Sequence, residues 1–207
     1  RLNKSNGATT FIASLGNHRS TYGLALTSDM TKAYGVNSSS NELYYYDILK
    51  DETVTVGYMG QNISMPCLDF NFSGDLVGMD DITDSLYIIN TSDASLSNQV
   101  PVTGMRLSGG DCAFGADNQI YFATNNNSAG KGVLWTVNPV TGASESRGNI
   151  SNTEFFTGVA LAADGSIFAS GNNTDTLWSV DTTDATGTSL GSFGVPHAGG
   201  DLAQAAA

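Results

Sequence analysis

Apolar and polar positions alternate along this chain in short runs, and almost nowhere in longer ones. Ile120-Tyr121-Phe122-Ala123, Leu134-Trp135-Thr136-Val137 and Leu86-Tyr87-Ile88-Ile89 are representative. Each run is rich in β-branched or aromatic residues and is bounded by Gly, Asn, Asp or Ser, which predicts half-buried strands joined by tight turns. No stretch keeps a 3.6-residue apolar period, so almost no helix is expected.

The runs recur. The stretch Ser108 to Asn149 holds four of them, and its parts return elsewhere. Gly109-Gly110-Asp111-Cys112-Ala113 comes back as Gly199-Gly200-Asp201-Leu202-Ala203. A Leu-aromatic run ending in Asp or Asn appears at Leu43–Asp47, Leu86–Asn90, Leu134–Asn138 and Leu177–Asp181, in steps of 43, 48 and 43 residues. Four strands in a repeat of this length are the mark of a propeller blade.

Named A to D from the axis outward, strand A reads Gly23–Leu26, Leu68–Phe70, Cys112–Phe114, Val159–Leu161 and Leu202-Ala203. Strand B reads Ala33–Val36, Leu76–Met79, Ile120–Ala123 and Ile167–Ser170, strand C is the Leu-aromatic run, and strand D reads Phe11–Leu15, Thr53–Val56, Val100–Thr103, Ser144–Arg147 and Ser189–Phe193. Ser28-Asp29, Ser73-Gly74, Asp117-Asn118 and Asp164-Gly165 supply the A–B turns, with residues that accept positive φ.

The blade pattern, clearest in Gly110–Gly148 and Gly158–Gly194, resembles the secreted β-propeller repeats of the broad NHL and gluconolactonase-like type. The resemblance implies an all-β, five-bladed propeller forming a single domain over residues 1–207. Blades span about 23–64, 65–108, 109–156 and 157–196. A fifth is shared between 197–207 and 1–22, because counting back from Asp47 puts Asn3 at the end of a strand C. That blade lacks strand B and most of strand C. Either residues are missing from the chain, or a neighbouring chain supplies the strand; the second case gives self-association by strand complementation. A propeller hosts enzymes, lectins and scaffolds alike, so the pattern carries no activity by itself.

Composition narrows the partners. Twenty acidic residues against eight basic ones give a net charge of −12. No basic surface is available for nucleic acid or anionic lipid. No apolar run reaches the roughly 20 residues that cross a bilayer, so no membrane insertion is expected. The chain begins at Arg1 without a signal peptide, as a processed or partial chain would.

The candidate chemistry is sparse. Asp111 and Asp201 begin strands A near the axis, and His18 and His197 lie in D-to-A connectors on the same face. Together they form a candidate metal or ligand group; the competing reading has the carboxylates accepting backbone N–H groups. Gluconolactonase-like enzymes, which the pattern resembles, hold a metal near the axis with Glu, Asn and Asp, and a Glu is not expected there in this chain. No cofactor is expected. Asp80, Asp81 and Asp84 in one B–C loop have oxygens suited to weak calcium binding, or serve as solvated loop acids. Trp135 and Trp178, matched by Tyr44 and Tyr87, are either sugar-stacking platforms or wedge fillers between blades. Cys67 and Cys112 fall near the starts of neighbouring strands A, and a disulfide requires their Cα atoms within about 7 Å.

Eight N-x-S/T sequons occur, at Asn3, Asn37, Asn62, Asn71, Asn90, Asn126, Asn149 and Asn172. The Asn, Ser and Thr content gives about four by chance, and none was placed in the middle of an expected strand. Glycosylation at these sites and an extracellular or cell-surface location are therefore expected. The function these features favour is a non-enzymatic surface scaffold, adhesin or fibre component. The alternatives are a carbohydrate-binding propeller and, behind it, a metal-dependent hydrolase with an axial site.

Overall fold

A computed structural model describes residues 3, 5–10, 21–126, 131–162, 164–194 and 202–203, without the side chains of 125, 126 and 131. Among these residues there are sixteen strands and no helix. The first blade is β1 (Thr21–Leu26), β2 (Lys32–Asn37), β3 (Glu42–Asp47) and β4 (Glu52–Tyr58). The second is β5 (Cys67–Phe70), β6 (Leu76–Asp80), β7 (Ser85–Ile89) and β8 (Leu96–Pro101). The third is β9 (Asp111–Phe114), β10 (Ile120–Asn126), β11 (Lys131–Val137) and β12 (Ser144–Ser151). The fourth is β13 (Phe156–Leu161), β14 (Ile167–Gly171), β15 (Thr176–Val180) and β16 (Gly187–Ser192). Each blade is one antiparallel meander in sequence order. The innermost strands β1, β5, β9 and β13 pack successively beside one another around an axis. The fold is a β-propeller.

The local turns follow from local chemistry. All four A–B turns place their penultimate residue at positive φ: Met30, Gly74, Asn118 and Gly165. The C–D turns begin at Asp47, Asn90, Asn138 and Asp181, whose side-chain Oδ1 accepts backbone N–H groups two or three residues on. That bond gives the chain an alternative to the ladder and ends strand C.

Alternation then decides which face each strand buries. Three apolar cores lie between successive blades. The first joins Tyr34, Val36 and Leu43 to Met65, Leu68 and Ile89. The second joins Met79 and Leu86 to Phe122 and Val137, and the third joins Ala123 and Leu134 to Phe156 and Val159.

Two expectations need correction. Strand D of the second blade is Leu96–Pro101, not Val100–Thr103. The Asn90 turn closes at Ser95, where the Asn90 N–H donates to the Ser95 carbonyl, so pairing starts at once. The blade count also differs: the described residues form four four-stranded blades, not five. What the described ends contribute is a turn and a two-residue stretch, too little to build a ladder. Their positions are nevertheless defined. Asn3 to Ala8 forms the same turn as Asn90 to Ser95, with Asn3 N–H donating to Ala8 O and Gly7 N–H to Asn3 O. It lies on the outer strand of the fourth blade, where Thr9 Oγ1 donates to Phe193 O at 3.1 Å. Leu202 lies against Gly158 of β13.

Candidate functional site

The axial channel is the place where a propeller of this kind gathers side chains from every blade. It is bounded by β1, β5, β9 and β13 together with Leu202 and Ala203. Among the described residues it holds a space of about 20 Å³, the size of one water.

Two carboxylates belong to the inner strands. Asp69 sits in the middle of β5. Its Oδ1 accepts the Phe70 N–H at 2.8 Å and its Oδ2 accepts the Phe114 N–H of β9 at 2.9 Å. Asp111 opens β9 and is fully buried. Its Oδ1 accepts the Cys112 N–H at 2.7 Å and its Oδ2 the Val159 N–H of β13 at 2.5 Å. The physical need is clear: an innermost strand has a free edge, and a buried N–H without a partner is costly. Each carboxylate satisfies one such N–H on the next blade and so ties consecutive blades together.

The two sites differ in how they sit. Burial pushes the Asp69 carboxyl up to about 7, against the lowering effect of the Phe114 and Phe70 N–H donors. Among the described residues no cationic side chain lines the channel. Beside Asp69, Cys67 of β5 and Cys112 of β9 form a disulfide across the same pair of blades, with Cα atoms 5.2 Å apart.

Asp111 and Asp69 each accept backbone N–H groups on both carboxylate oxygens, and among the described residues neither Glu nor Asn lines the channel. His18, His197 and Asp201, the other members of the candidate group, lie outside the described residues. One Glu does enter a connector, contrary to expectation. Glu154, fully buried before β13, accepts from the Phe155 and Asn173 N–H groups and from Thr174 Oγ1. It ties the D-to-A connector to the B–C loop of the fourth blade.

Asp80 does the same in the second blade. It is fully buried, and accepts from the Ser64 N–H, the Thr83 N–H and Thr83 Oγ1. Asp84 accepts from the Leu107 N–H at 3.0 Å. In the Asp80–Asp81–Asp84 loop, Asp80 and Asp84 thus serve as turn and connector caps. Among the described residues no group of three or more His, Cys, Asp or Glu is placed to hold a metal ion.

The aromatic positions fill wedges. Trp178 packs edge-to-face on Phe156 with ring centres 5.9 Å apart, Trp135 borders the second core, and Tyr44 and Tyr87 are buried. None offers a flat exposed platform.

The sequons sit in turns and strand ends, with one exception. Asn149 lies inside β12 opposite Val133 rather than in a connector. Asn37 and Asn126 end β2 and β10, Asn62 and Asn172 lie in loops, and Asn3, Asn71 and Asn90 in turns. In Asn3, Asn37, Asn71 and Asn90 the side-chain oxygen accepts the backbone N–H two residues on, a Ser each time. Asp29, Asp93, Asp164, Asp181 and Asp184 make the same bond to a Ser or Thr. The pattern Asx-x-Ser/Thr is therefore a turn device of this fold.

Sequence reasoning missed Asp69 and Glu154. Asp69 had a signal, a charged residue centred in an apolar strand between Leu68 and Phe70. Glu154 had only its place before the Phe155-Phe156 pair.

The fold defines the class: a β-propeller. Comparison with solved structures agrees. Virginiamycin B lyase from Staphylococcus aureus superimposes with a TM-score of 0.56 at 11% identity, over 81% of this chain and 54% of that one. A protein of unknown function from Bacteroides thetaiotaomicron gives a TM-score of 0.63 at 14% identity, over 80% of this chain and 46% of that one. A protein assigned as a gluconolactonase gives 0.59 at 11% identity, over 82% and 62%. These likenesses are of fold alone, and the chain spans between 46% and 62% of those proteins. No family model and no curated protein matches the sequence.

Proposed function

We propose that the protein is a non-enzymatic extracellular glycoprotein, a propeller serving as a surface scaffold, adhesin or fibre component. The observation that carries this reading is the use made of the axial carboxylates. Asp69 and Asp111, where an enzyme of this fold would hold its metal, are spent as inter-blade ties in a channel with room for one water. The Cys67–Cys112 bridge supports an oxidising compartment, and the exposed Asn3, Asn62, Asn90 and Asn149 support modification by glycans.

The ring itself is read as five-bladed. Leu202-Ala203 takes the place of a fifth inner strand beside β13, and the Asn3–Ala8 turn takes the place of a fifth C–D turn on β16. Strand B and most of strand C of that blade come either from residues outside this sequence or from a neighbouring chain, and the second case gives head-to-tail self-association. Peptide mapping of native material, deglycosylated in heavy-oxygen water, tests the glycoprotein reading. Occupancy at two or more of the eight sequons is expected, and fewer would remove it. Sedimentation of this chain at high concentration tests the association: a stable monomer would remove the donated strand.

A further inference from the structure

Adjacent blades meet at their outer strands in one recurring way. Opposite the Leu of strand C, strand D carries a glycine: Gly57 faces Leu43, Gly148 faces Leu134 and Gly191 faces Leu177. The C–D turn of the next blade sits on that glycine. A Cβ at Gly57 would meet the Asp93 carbonyl oxygen at 3.1 Å, and one at Gly148 the Asp184 carbonyl oxygen at 3.1 Å. Gly191 meets the Asn6 carbonyl oxygen in the same way. Ala94 and Ala185 then plug the wedge and are fully buried.

The junction between the second and third blades departs from this. Val100 stands opposite Leu86 where the glycine belongs, and the glycine is on the turn instead, as Gly142. The bulge of strand D moves along to lie opposite Tyr87, and Asn98 within it takes a left-handed φ of 51°. The turn is caught farther along the chain, by a bridge between Thr103 and Ala143. A cleft of about 220 Å³ remains between the blades, with Val77, Leu86 and Tyr87 in its wall and Val140 at its lip. Bulges of this kind commonly re-aim a side chain at a site.

From this we infer that the cleft between the second and third blades binds a single neutral sugar ring. The lining holds no carboxylate, ammonium, guanidinium or imidazole in a chain of net charge −12, which selects an uncharged ligand. Asn98 and Asn118 are exposed at its rim, both at left-handed φ. Each carboxamide offers a donor and an acceptor side by side, the complement of neighbouring hydroxyls. Ile88 and Val100, half-buried, and the exposed Val140 provide the apolar surface on which the C–H face of a pyranose rests. The volume falls below that of drug-sized pockets, so one ring is the fitting occupant. This site is separate from the axis and stands whether or not the scaffold reading does.

The test is a titration of the 15N-labelled full chain with the methyl glycosides of glucose, galactose, mannose and N-acetylglucosamine. Benzyl alcohol serves as the ring without hydroxyls and glucuronic acid as the charged analogue. At least one neutral glycoside is expected to give saturable shifts at the amides of residues 97–100 and 117–119, tighter than either control. Asn98→Asp and Asn118→Asp tolerate the same φ, and each is expected to weaken that binding about tenfold. An unchanged melting temperature confirms that both variants fold. The inference is overturned by no saturable shift with any neutral glycoside, by benzyl alcohol binding as tightly, or by unchanged binding in both variants.

Discussion

Replacing Asp69 with Asn tests the account of the axis through its pH dependence. Asp69 titrates at 3.8 in an unfolded chain and at about 7 in the folded one, because burial disfavours its charged form. The native state therefore holds the proton between those values while the unfolded state has lost it. The stability this gives is full below pH ~4, where both states are protonated, and is lost as pH rises through about 7. At 1.36 kcal/mol per pH unit, the interval caps the loss at about 4 kcal/mol. Asn at this position cannot ionise, so the variant lacks this slope. Its amide also turns one N–H toward a backbone donor, either Phe70 or Phe114, at a cost of about 1–3 kcal/mol. That cost is the same at every pH and drops out when parent and variant are compared across pH. Urea unfolding at pH 4, 6 and 8 is the assay. The variant should gain on the parent from pH 4 to pH 8 by up to about 4 kcal/mol. A difference between the two proteins that stays constant over that range would refute the account in which burial raises the Asp69 carboxyl.

Four further outcomes follow from the same structure. Changing Cys67 and Cys112 to Ser opens a 45-residue loop, and should cost about 4 kcal/mol by chain entropy in a denaturant titration. Phe156→Ala empties a fully buried position in the third core and should cost about 3–5 kcal/mol by the same assay. Gly148→Val places a side chain at φ 132° against the Asp184 carbonyl; a loss of about 2 kcal/mol or more is expected, and calorimetry checks it. Asp29, Asp93 and Asp184 are held below the ordinary carboxylate range by bonds from Thr27, Ser95 and Thr186. Their contribution is lost as pH falls below ~4, so acid titration by NMR should give these three low pKa values while Asp69 titrates near neutrality.

The sequons illustrate how far one pattern stretches. Asn-x-Ser/Thr in excess of chance reads as glycosylation, yet five Asp-x-Ser/Thr turns make the same local bond and take no glycan. Turn formation therefore accounts for part of the excess, and only occupancy measurements separate the two causes.

What the sequence determined by itself is whatever acts within five or six residues. Alternation placed β2, β6 and β14 to within one residue at each end and the start of β10, and Asx side chains fixed where each strand C ends. The repeat even placed Asn3 in its turn, because that turn closes through local bonds among Asn3, Ser5, Asn6, Gly7 and Ala8. The tertiary structure decided everything that joins one blade to the next. Asp69 reaches Phe114, Asp111 reaches Val159 and Cys67 reaches Cys112 across 45 to 48 positions. Whether such side chains meet depends on how closely two twisted sheets approach, which side-chain volumes set jointly. The same coupling buried Glu154, and let Val100 displace a turn beside the cleft between the second and third blades. A local pattern carries no term for the distance between sheets, so it could name Cys67, Cys112 and Asp111 as candidates but not decide which contacts form.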